Sequence, residues 1–149
     1  MMLELSSQLE ELIARTGREL PVFTDSEAAE PVISGGWSRK QVLGHLIDSA
    51  SNNHQRFVRA LLEEELRWPG YDQVGCVRVE HFQDASWSAL VELWTAFNGL
   101  LAHVLAHVPE AKRNTQCIIG DHAPMSLEQL AEDYLRHMRH HVEQIRFRT

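Results

Sequence analysis

The sequence predicts an all-α protein, a four-helix bundle with up-down-down-up topology and long connecting loops. Three observations predict it. Four segments each carry one apolar stripe at helical spacing, and no convincing alternation of apolar and polar residues marks a strand. The heights of three histidines on two of the segments then select the connectivity. At 149 residues the chain is read as a single domain, 1–149, long enough to bury a core without disulfide staples.

The first helix is expected over residues 3–16, with Leu5, Leu9, Leu12 and Ile13 inward and Glu4, Glu10 and Glu11 toward water. Residues 17–37, punctuated by Gly17, Pro21, Pro31, Gly35 and Gly36, read as a long connection. Ser38 followed by Gln41 is a capping box that starts the second helix, and Trp37 can staple onto Val42. That helix is expected to reach about Leu66, with Val42, Leu43, Leu46, Ala50, Phe57 and Leu61 as its apolar arc. Residues 67–85 form a second connection, long enough to cross the bundle, and loops of this length are more often functional than idle. The third helix spans about Ser86 to Val108 and is stopped by Pro109. After a third connection, Ser126 and Gln129 repeat the capping box and open a last helix to Phe147.

Fourteen basic against 21 acidic residues leave a net charge of −7, which argues against nucleic acid as a partner. No apolar run is read as a membrane span and the N-terminus lacks the pattern of a secretion signal, so the expected location is cytoplasmic. Cys76 and Cys117 sit in no paired motif and are expected to be reduced.

Nine histidines are the unusual feature of the composition. His137 and His141 are four apart on the last helix, so one lies above the other, the spacing at which two imidazoles share an ion. His141 falls inside the apolar arc of that helix and His137 on its edge, while His140 points to water. The third candidate is His45, bordering the apolar arc of the second helix and continuing into a polar row of Ser49, Asn52 and Arg56. A rival pair, His103 and His107, falls on the solvent face of the third helix. His45 lies roughly 10 Å inside the start of its helix, and His141 at about the same depth from the end of its own. Their heights match only if these two helices run antiparallel, which makes residues 67–85 a crossover and sets the up-down-down-up order. The competing explanation is a histidine and amide network that ties helices together.

Taken in order, Trp37-Ser38, Gly44-His45-Leu46-Ile47-Asp48-Ser49, Asn53, Arg56 and His137-x-x-x-His141-x-x-Gln144-Ile145 resemble the DinB-like (YfiT-like) metalloenzyme superfamily. The resemblance covers roughly Trp37 to Ile145. It implies a four-helix bundle of this connectivity, often a homodimer, with a divalent metal ion, zinc or nickel, on the equivalents of His45, His137 and His141. It also implies a small-molecule substrate, with low-molecular-weight thiols among the co-substrates of relatives and hydrolysis as the other assigned chemistry. Relatives with a loop like Tyr71-Asp72-Gln73 tend to carry tryptophan where this chain has Cys76.

Three neutral imidazoles leave a divalent ion its full charge and an open position, able to activate water or a thiol. Asp48 is the candidate catalytic residue, orienting His45 or acting as base; Asp133 and Gln144 are candidates to orient the other two ligands. Arg56 is read as an anion receptor or as half of an ion pair on its own helix. Two function classes follow: a metal-dependent S-transferase or hydrolase, and a non-catalytic binding or dimerisation module with a structural metal or buried histidine network.

Overall fold

A computed structural model describes residues 1–32 and 36–146. The expected positions of Gly35 in the first connection and Phe147 at the end of the last helix lie outside them. Helix α1 spans Met2–Glu19, α2 Asp25–Ala28, α3 Arg39–Leu62, strand β1 Glu65–Trp68, α4 Gln73–Glu80, α5 Trp87–Ala106, β2 Gln116–Ile119, β3 Met125–Ser126 and α6 Leu127–Arg146.

The four long helices α1, α3, α5 and α6 form the bundle, and their end contacts give its directions. Ser6 at the start of α1 donates to the carbonyl of Ala102 near the end of α5, and Trp87 at the start of α5 donates to Leu20 just beyond α1. These two helices are therefore antiparallel. Arg39 opens α3 and donates to Ile145 near the end of α6, so this pair is antiparallel as well. The amino group of Met1 pairs with Glu128, and Arg146 pairs with Glu19, which makes α1 and α6 parallel. The order is up-down-down-up, as the histidine heights require.

Both capping boxes form. Ser38 accepts from the Gln41 amide while Gln41 accepts from Ser38, and Ser126 and Gln129 do the same for α6. Leu9, Leu43, Leu46, Phe57, Trp94, Leu101, Leu105, Leu127, Met138 and Ile145 fill the core with at most 1–2 % exposure. Removing such side chains from water at about 25 cal/mol per Å² is what holds the bundle together.

The connections are less irregular than the sequence suggests. The second helix stops at Leu62, not Leu66, and residues 65–68 leave it to pair in parallel with β2, which pairs antiparallel with β3. A parallel pair formed from two distant connections carries no local signal, and strands of two to four residues are too short to alternate visibly. Residues 67–85 also hold α4, capped by Asp72, whose carboxylate accepts from the Gly75 amide. The exclusion of any membrane-length apolar segment is corrected: α5 is long and apolar enough by length and composition. Its Leu90, Val91, Trp94, Leu101 and Leu105 are bundle core. Cys76 and Cys117 are both free.

Candidate metal centre

His45 sits on α3 two turns past its cap, and its ring is only 2 % exposed. The antiparallel α6 brings His137 and His141 to the same height, both half-buried. His45 Nε2 lies 3.1 Å from His137 Nε2. Ring centroids are 5.0 Å apart for His45 and His137, 4.8 Å for His45 and His141, and 4.5 Å for His137 and His141. One nitrogen from each ring lies within 4.8 Å of the others.

These residues fit a metal ion. Two nitrogens bound at about 2.0–2.1 Å in a tetrahedral arrangement stand ~3.3 Å apart, close to the His45–His137 separation. The protonation states fit too. Burial, with the like charges of its two neighbours, pushes His45 down to about 4. Burial does the same to His137, also to about 4, and lowers His141. All three rings are therefore neutral near pH 7, the form that ligates. His141 donates from Nδ1 to Gln144 Oε1 at 2.7 Å, which leaves Nε2 with its lone pair for an ion. Gln144→Ala is expected to weaken divalent-ion binding by about 10–100-fold, read by chelator competition, because the ring loses that orientation.

The other sequence candidates divide. Val142 is fully buried, so His141 sits at the margin of the core, not inside it. His140 is exposed as expected. His103 and His107 are exposed; the latter places Nδ1 2.8 Å from the His103 carbonyl, and among the described residues neither belongs to a cluster able to hold an ion. Asp133 does not orient His137: it pairs with Arg136 across one helical turn. Nor does Asp48 orient His45, whose buried Nδ1 has no hydrogen-bond partner among the described residues. Arg56 has no ion pair on its own helix among the described residues.

Asp48 has a different setting. It is 9 % exposed and faces Glu80 at the end of α4; burial and that second carboxyl group push it up to about 8. It is thus a neutral acid near pH 7. A group raised in the folded state stabilises fully below its unfolded value of 3.8, and that contribution is lost as pH rises through about 8. Asp48→Asn is therefore expected to be more stable than the parent at pH 8, in chelator-treated protein, with the gap closing toward pH 4. Urea melts across that range give the reading; a pH-independent gap would count against it.

A cleft of about 300 Å³ opens beside the histidines, lined by Ser49, Asn53, Arg56, Tyr71, Tyr134 and His137 among others. Tyr71, Tyr134 and Glu80 were missed as site residues. Tyr134 obeys the core spacing of α6, and its hydroxyl donates to buried Asn98. Tyr71 and Glu80 come from the 67–85 connection, where only the Asp72 cap hinted at a helix packed over α3.

Other proteins resemble this chain in sequence and fold. Relatives of this chain carry the name "Putative metal-dependent hydrolase", two of them as follows. YfiT of Bacillus subtilis (strain 168) is 28% identical over 138 residues, 92% of this chain and 78% of that protein. The Bacillus pumilus (strain SAFR-032) protein is 40% identical over 53 residues, 36% of this chain and 30% of its own length. The solved structure of YfiT, described as a probable metal-dependent hydrolase with an unusual four-helix bundle topology, superposes with a TM-score of 0.84 at 27% identity. The match covers 95% of this chain and 82% of that one. The model of one family extends from residue 8 to residue 145, nearly the whole bundle, and on that ground the chain belongs to the DinB superfamily.

Proposed function

We propose that this protein is a divalent-metal-dependent hydrolase whose ion, zinc or nickel, is held by His45, His137 and His141 at one end of the cleft. The observation that carries the reading is the convergence of three neutral imidazoles within 4.8 Å, with His137 also on the cleft wall. The names of the relatives point the same way. An ion on three neutral ligands keeps its charge and an open position, and supplies the acidity that brings water toward ionisation at neutral pH.

The protein's own groups complete the reaction. Asp48, neutral at pH 7, can give a proton to a leaving group and take one back. Cys76 is no substitute nucleophile, because burial and the charges of Asp48, Glu80 and Asp72 raise its thiol away from the thiolate. The same ligand set also suits a thiol co-substrate, since an ion on uncharged ligands would keep the positive charge that holds a thiolate. That makes S-transfer the second reading.

Protein purified without an affinity tag should contain close to one equivalent of zinc or nickel by elemental analysis. Chelation should abolish turnover of ester, amide or thiol-transfer substrates, and readdition should restore it. Metal-free protein of full activity would refute the proposal in favour of a binding module.

A homodimer is proposed on separate grounds. The outward face of α5 carries Leu93 and Leu100, 48% and 46% exposed, with Ala89 and Ala96 between and beside them. A second copy would cover this apolar strip. Light scattering should give twice the chain mass, falling to one chain in Leu93→Lys/Leu100→Lys.

A further inference from the structure

Arg56 lines the cleft from α3, eleven residues and roughly 16 Å along the helix beyond His45, and its long side chain leans back toward the helix start, which shortens the gap to about 10 Å. Its Nε is buried and has no hydrogen-bond partner among the described residues. No ion pair to it forms among them either: Asp133, which lines the same cleft and whose charge acts on Arg56, is paired with Arg136. Leaving a charged donor unpaired away from water is costly, more so than for a neutral group. The remaining lining mixes uncharged polar groups, Asn53, Tyr71 and Tyr134 among them, with the apolar Ile119, Met125 and Leu130.

We propose that the cleft takes an elongated substrate bearing a carboxylate, which Arg56 receives about 10 Å from the reacting end. The Nε of Arg56 is shut away from the cleft, and its two Nη groups offer the paired donors that a planar carboxylate accepts end-on. A single cation facing a cleft with Asp133 on its rim suits a monoanion better than a phosphate dianion. The reacting end of the substrate then lies at His137 and its neighbours, so the cleft measures the spacing between the two ends. The inference rests on the reading of the three histidines as the metal centre, and specifies the substrate class of that site.

The test uses cobalt-loaded protein and synthetic probes. 6-Mercaptohexanoate spans about the required distance, and 6-mercaptohexanol differs from it only in the charge of the far end. Thiol ligation is followed by the sulfur-to-cobalt absorption in the near ultraviolet. The acid is expected to bind about tenfold or more tightly than the alcohol, and 3-mercaptopropionate, too short to reach, should show no such advantage. In Arg56→Gln the acid and alcohol should bind equally, with cobalt affinity unchanged; Arg56→Lys should restore part of the preference. Equal binding of acid and alcohol by the parent protein, or a preference that survives Arg56→Gln, overturns the assignment. 6-Mercaptohexyl phosphate binding more tightly than the acid overturns the choice of carboxylate. Should no thiol ligate cobalt, the metal reading fails by itself, and hexanoate against hexanol on metal-free protein, parent and Arg56→Gln, still decides the role of Arg56. A preference there that depends on Arg56 sustains the assignment, and its absence ends it.

Discussion

Replacing His45 by alanine is expected to weaken divalent-ion binding by more than about a hundredfold, beyond what losing an outer-shell partner costs. His45 is the ligand supplied by α3, and its Nε2 faces His137 Nε2 at 3.1 Å. Without it, two imidazoles on one helix remain, with no second element to close the site. Stability should report the same loss. Ion present at a hundred times its dissociation constant adds about 2.7 kcal/mol to the parent, which for a chain of this size raises the melting temperature by roughly 5–10 °C. His45→Ala should show almost none of that increment at the same concentration. Calorimetry with and without chelator measures both. An unchanged increment would mean that the ion binds elsewhere, or that α6 alone holds it.

Substituting Gly44 by alanine is expected to damage the fold while sparing the ion. A Cβ built at Gly44 would overlap the ring of Phe82, which seats the turn after α4 directly on α3. Two effects compete. Alanine gains about 1 kcal/mol over glycine inside a helix. Overpacking costs about 1–3 kcal/mol, and Phe82, 8% exposed, has little space into which to withdraw. The overlap involves ring atoms rather than a flexible chain end, so the steric cost should win. A net loss of up to about 2 kcal/mol lowers the melting temperature by up to roughly 8 °C. Ion affinity should change little, because the three histidines stand on α3 and α6, not on α4. A stabilised variant would show that Phe82 moves freely and that α4 is loosely docked.

That contrast between α3 and α4 also separates what was readable from what was not. The second, third and last long helices were legible because each repeats its apolar stripe over several turns, and two of them announce their starts with capping boxes that the structure forms. The histidine trio was legible for a related reason: helical geometry converts residue number into height and direction. His137 and His141 needed only the rise of one turn, and His45 needed only an antiparallel partner. Gln144 followed from the same arithmetic. Asp48 was singled out as the candidate catalytic residue, and its setting was not legible, because Glu80 arrives from a separate element.

By itself, then, the sequence determined the helices, their inward faces, the three convergent imidazoles and, through their heights, the order of the bundle. Tertiary structure decided the rest: the parallel pairing of residues 65–68 with 116–119, the docking of α4 on Gly44, and the cleft walled by Tyr71, Tyr134 and Arg56. The reason is physical. A helix satisfies its backbone within its own residues and so writes its pattern locally, whereas a short strand or a docked loop is stabilised by partners far away in the chain and leaves little trace among its neighbours.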